Sequence, residues 1–148
     1  MSPARRRQAL IGLGGLAIGL RSLPAQATPQ AMQALIEGFT RGRAPQARGI
    51  TLSVPEIVEN GNTVPVSVRV ESAMSGADRV RRVAVFSERN PAPDVLVGHF
   101  GPAAALAQLS FRMRMADSQA LVALAEMADG EVRIARVAVV VALAACLE

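Results

Sequence analysis

The sequence predicts an all-β fold: an immunoglobulin-like antiparallel β-sandwich of about seven strands, with a short N-terminal helix and a C-terminal arm. Three observations carry this expectation. Apolar and polar residues alternate at period two in several short segments, as they do where one face of a strand is buried and the other wet. Turn residues separate the segments, at Asn60-Gly61, Ser75-Gly76, Asn90-Pro91-Ala92-Pro93 and Asp129-Gly130. About a hundred residues hold them all, which is the size of one two-layer sandwich.

The first 27 residues read as an export signal rather than as part of the fold. Arg5-Arg6-Arg7 is followed by an apolar run from Ala9 to Leu20 and then by Ala25-Gln26-Ala27, the order of charged, apolar and small-residue blocks that precedes a cleavage site. Arg6-Arg7-Gln8-Ala9-Leu10 also fits a twin-arginine signal, with an ordinary secretory signal as the alternative. The mature chain is then expected to begin at Thr28 and to work in the periplasm. The apolar run is about a dozen residues, against the roughly 20 that cross a bilayer, so no membrane anchor is expected. Gly12-Leu13-Gly14-Gly15-Leu16-Ala17 matches a dinucleotide-binding pattern, but it follows no strand and leaves with the signal.

Removing the signal also neutralises the chain. Four of the 16 basic residues, Arg5, Arg6, Arg7 and Arg21, lie in it, leaving 12 against the 12 acidic residues. No net positive field remains to attract nucleic acid or an anionic membrane. Arg112 and Arg114, or Arg79, Arg81 and Arg82, then read as solvated faces of strands.

The remaining elements follow in order. In residues 28–45, Met32, Leu35, Ile36 and Phe39 recur at steps of three and four, one face of a helix that Thr28-Pro29 starts and Gly42 stops. Residues 46–143 make the sandwich. Its predicted strands are Ile50 to Val54, Val64 to Val70, Val80 to Ser87, Val95 to Phe100, Leu109 to Met115, Leu121 to Met127 and Val132 to Val141. Val64, Val66, Val68 and Val70 alternate with Pro65, Ser67 and Arg69, and Leu109, Phe111, Met113 and Met115 with Ser110, Arg112 and Arg114. One cysteine allows no intrachain disulfide, so packing alone must hold the sheets.

Few residues could carry chemistry. His99 is the single histidine and lies within a predicted strand, and no serine sits in a nucleophile-elbow pattern, so a catalytic triad has no members. One histidine and one distant cysteine lack the paired spacing of zinc ligands, and no cofactor is called for. Glu56 with Glu59, and Asp129 with Glu131, flank turns and read as solvated loops. Cys146 remains, in residues 144–148. The seven residues from Ala142 to Glu148, drawn out at about 3.4 Å each, would span on the order of 24 Å, enough to carry a sulfur into another protein's cleft. A free thiol is only a few per cent thiolate near neutral pH, so activation would come from partner enzymes. The competing expectation is that Cys146 is an incidental small apolar residue.

Ordered blocks of this chain resemble one family. They are Val54-Pro55-Glu56-Ile57-Val58-Glu59-Asn60-Gly61-Asn62-Thr63-Val64-Pro65-Val66, Phe86-Ser87-Glu88-Arg89-Asn90-Pro91-Ala92-Pro93, Arg112-Met113-Arg114-Met115-Ala116 and Val122-Ala123-Leu124-Ala125-Glu126-Met127-Ala128-Asp129-Gly130. Together they are similar to SoxY, the sulfur-carrier subunit of the bacterial thiosulfate-oxidising Sox system. The resemblance implies a carrier rather than an enzyme, with Cys146 as the covalent attachment point for sulfur. It further implies a heterodimer with SoxZ, and transient partners in a haem protein, a sulfate-releasing hydrolase and a sulfane dehydrogenase. In that family the cysteine lies in a Gly-Gly-Cys-Gly-Gly arm. Here Ala144, Ala145, Leu147 and Glu148 stand at the glycine positions, each adding a side chain and removing positive-φ freedom. A non-carrying binding module, whose altered arm has lost or changed the carrier function, is therefore the alternative reading.

Overall fold

Thr28 starts the first element as the sequence suggests. In the computed structural model, which describes residues 28–146, its hydroxyl accepts a hydrogen bond from the Ala31 amide at 3.1 Å and caps helix α1, Pro29–Thr40. The signal-peptide reading of residues 1–27 lies outside the described residues. Arg41, with φ 52°, ends the helix in the left-handed region, followed by Gly42 at φ 77°. The buried face of α1 carries Met32, Ile36 and Phe39, as their spacing requires. None of the described helices is long and apolar enough to cross a membrane.

Eight strands follow: β1 Ile50–Ser53, β2 Ile57–Val58, β3 Val64–Val70, β4 Val80–Ser87, β5 Asp94–His99, β6 Ala107–Met113, β7 Gln119–Met127 and β8 Val132–Val141. A short 3-10 helix, Gly76–Asp78, precedes β4. The strands form a three-stranded sheet, in order β1-β3-β6, and a five-stranded sheet, in order β2-β8-β7-β4-β5. The all-β sandwich expected from the sequence is therefore present. The seven expected strands all appear, and β2 is an eighth that no periodicity announces. It also departs from the antiparallel rule, because Ile57 and Val58 run parallel to Val140 and Val141. A parallel bridge between Gln46 and Arg133 covers the other end of the same β8 edge. Short plugs of this kind keep the edge from pairing with another chain.

The core lies between the sheets. Val64, Val66, Val68 and Val70 of β3 face Val83 and Val85 of β4, Leu121, Ala123 and Ala125 of β7, and Val139 of β8, all buried. A second apolar layer lies on the outer side of the larger sheet, where Met32, Ile36 and Phe39 cover Ala84, Phe86, Val122, Leu124 and Val132. The Phe39 ring meets Phe86 edge-on at 6.4 Å between centroids.

Two sequence expectations change here. The β6 strand is shifted, starting at Ala107 and ending at Met113, so Met115 lies beyond it yet is fully buried. Arg82 is no solvated strand residue. Its guanidinium lies 4.2 Å above the Phe39 ring and bonds Glu126, which Arg43 joins from behind α1 at 3.1 Å.

Candidate functional site

The chain beyond β8 stays attached to the sandwich. The Val141 amide donates to the Ser118 hydroxyl at 2.9 Å, ending the strand. The Ala142 amide then donates to the Val58 carbonyl at 2.8 Å and the Leu143 amide to the Glu59 carbonyl at 3.2 Å, so the tail continues along β2. Asn60 folds the following turn, its side-chain oxygen accepting from the Asn62 amide at 2.9 Å, and the turn presents Gly61.

At Gly61 three segments meet. Its amide donates to the Leu143 carbonyl at 2.8 Å, and its carbonyl accepts from the Met115 amide at 2.8 Å. The Met115 carbonyl in turn accepts from the Ala145 amide at 2.9 Å. The approach is close because residue 61 has no side chain. A Cβ there would lie 2.6 Å from the Met115 carbonyl oxygen, 3.0 Å from the Ala145 nitrogen and 3.2 Å from the Leu143 oxygen. Asn90 steadies the far side of the arrangement. Its amide nitrogen donates to the Arg114 carbonyl at 2.8 Å, and its oxygen accepts from the Ala116 amide at 3.1 Å and from Gln119 at 2.9 Å. The loop that supplies Met115 and Ser118 is thus pinned at both ends.

These contacts correct the expected arm. The hydrogen-bonded part of the chain passes residue 143 and runs to Ala145, which is buried. The free reach does not begin at Ala142, because the backbone is bonded as far as Ala145. Cys146 is free and exposed, one residue beyond the last bond. Around the base of this segment Ile57, Val140 and Leu143 are exposed large apolar residues, with Ile57 and Val140 paired in register.

The other sequence-named residues lie elsewhere or do structural work. His99 ends β5, at the opposite edge of the larger sheet from β2, and is exposed. Glu56 and Glu59 are exposed, as solvated residues should be. Asp129 is exposed, but Glu131 is not a free loop carboxylate: it takes the guanidinium groups of Arg48 and Arg133. The Arg133 hydrogen bond is the main reason its carboxyl is held below the usual range, with burial opposing it. No group of three or more His, Cys, Asp or Glu is placed to hold a metal among the described residues. A groove of about 520 Å³ runs over Ser53, Ser67, Ser110 and Arg112 on the smaller sheet and does not include Cys146. Sequence reasoning found Cys146 but missed Gly61 and Met115 as its supports. Asn60-Gly61 announced only a turn.

The sandwich closes over its own core and leaves its one thiol exposed at the rim. The comparisons with known proteins are more specific. The family model for "Sulfur oxidation protein SoxY" matches residues 36–146, ending on Cys146. The chain belongs to the SoxY family. The structure of the sulfur carrier protein SoxY from Chlorobium limicola f thiosulfatophilum is similar, with 28% identity and a TM-score of 0.61 over 74% of this chain and 94% of that one. A superoxide reductase (neelaredoxin) from Ignicoccus hospitalis has 16% identity and a TM-score of 0.55 over 78% and 94% of the two chains. One described as a putative superoxide reductase, from Thermotoga maritima, has 14% identity and a TM-score of 0.51 over 70% and 89%. These two likenesses concern the fold alone. No curated protein matches the chain.

Proposed function

We propose that this chain is a periplasmic sulfur carrier that holds intermediates of thiosulfate oxidation covalently on Cys146 while other proteins act on them. It works as a heterodimer with a SoxZ-like subunit. The observation that carries the reading is the exposure of the only thiol at the end of a docked tail, on a chain whose family match runs to that residue.

The chemistry follows from the reversibility of sulfur-sulfur bonds. In the loading step the thiol loses its proton and bonds the outer sulfur of thiosulfate. Two electrons leave, and a haem-protein partner takes them. Water then splits the terminal sulfur-sulfur bond in a hydrolase, releasing sulfate and a proton and leaving a persulfide on Cys146. A sulfane dehydrogenase, where present, oxidises the remaining sulfur. The sandwich supplies no catalyst for any of these steps. It supplies a rim from which the thiol is offered.

Mass spectrometry of the mature protein from thiosulfate-grown cells tests this. Sulfur adducts on Cys146 that vanish in Cys146→Ser are expected, and a bare thiol under those conditions overturns the proposal. A second reading has its own support in the docking of Ala142 to Ala145 and in the alanines at the glycine positions. It makes the chain a non-carrying binding module, and in that case Cys146→Ser leaves the physiological role intact.

A further inference from the structure

The hydrogen bonds around Gly61 join three places that are far apart in sequence, the turn after β2, the loop after β6 and the tail after β8. Gly61 touches two of them through its own amide and carbonyl, and the third bond, Ala145 to Met115, closes beside it. Only a residue without a Cβ fits, because the Met115 oxygen lies 2.6 Å from where that atom would stand. The obstructing atoms are backbone, so they cannot swing aside as a flexible side chain would. A turn needing glycine for its own conformation would show a positive φ, and Gly61 is not among the positive-φ glycines. The glycine is explained by the approach of the tail and of Met115.

From this we infer that Gly61 is the positioning residue that sets where the tether of Cys146 begins. The inference rests on the carrier reading for its purpose but not for its geometry. With the clasp closed, the free segment starts after Ala145, and the thiol stays within about one residue length, roughly 3.4 Å, of the docked backbone. With the clasp open, the Ala142 and Leu143 amides still bond Val58 and Glu59, so the tether starts after Leu143, and the three residues to Cys146 could extend on the order of 10 Å. A visiting catalyst must therefore come to this end of the sandwich and fit its rim. A long swinging arm would make no such demand.

The test places one nitroxide on Cys146 and a second on Val97→Cys, an exposed position on β5 at the far edge of the sheet. Pulsed electron spin resonance then reads the distribution of distances between them, and hydrogen exchange reads the Ala145 and Met115 amides. The unaltered tail should give a narrow distribution and slow exchange at both amides. Gly61→Ala should broaden the distribution toward the longer reach and speed exchange at both. Should Gly61→Ala fail to fold, Ala145→Pro removes the Ala145 donor without altering the sandwich and should broaden the distribution in the same way. A broad distribution in the unaltered tail, or a narrow one in a folded Gly61→Ala, overturns the inference. Its failure is separable from that of the carrier reading, because the distances do not depend on whether sulfur ever loads onto Cys146.

Discussion

Glu126 is the one charged side chain the fold buries among the described residues. It lies in β7 and takes hydrogen bonds from Arg82 and Arg43, which stand 44 and 83 residues away in the chain. Burial alone would raise its carboxyl, but the bonds from Arg82 and then Arg43 outweigh burial and hold it below the ordinary value of 4.5. A carboxyl depressed in the folded state contributes stability that is present above its unfolded value and lost as pH falls through the folded one. Glu126→Gln should therefore lower unfolding free energy by about 1–3 kcal/mol at neutral pH, because it leaves two arginines without their anion. Thermal melts of both proteins from neutral pH into the acid range should show the gap closing as the native carboxylate protonates. None of this was legible in the sequence, where Arg82 reads as one of a row of solvated arginines. Cys146 was legible because a single thiol needs no partner to stand out. Gly61 was half legible: the turn shows locally, and the reason it must be glycine lies in two distant segments.

At the scale of elements, legibility follows burial. The period-two pattern of β3 is clear because its other face is wet, and the strand falls where the alternation puts it. In β7 both faces are buried, one by the opposing sheet and one by α1, so Leu121 to Ala125 show a continuous apolar run instead. The two residues of β2 carry no period at all. They pair because β8 offers an open edge there, the Val140 amide donating to the Glu56 carbonyl and the Ala142 amide to that of Val58. The shift of β6 has a similar cause, since Met115 continues the apolar alternation but is turned away to meet Gly61. Helix α1 depends on its outer layer for attachment. Phe39→Ala removes a buried ring that contacts both Phe86 and Arg82, and should cost about 3–5 kcal/mol. A denaturant titration followed by far-ultraviolet circular dichroism checks that loss.

At the scale of the whole molecule, two sheets are held by packing, with no covalent staple. The only sulfhydryl sits outside the core. Reductant should leave the melting temperature of the monomer unchanged. Oxidant should instead give a disulfide-linked dimer on a non-reducing gel, reversed by reductant and absent in Cys146→Ser. A dimer that survives in the serine variant would mean that association does not use this thiol.

The alanines near the tail acquire a reason from its docking. Ordering a glycine costs more conformational entropy than ordering an alanine, by about 0.4–1 kcal/mol where the conformation suits both. A freely swinging linker gains from glycine; a moored one gains from alanine, and Ala145 is held by its amide and covered on its side chain. The alanine at 145, which looks like lost suppleness beside a glycine-rich ending, is thus what a shortened leash calls for, and any protein acting on the thiol would have to lean in to reach it.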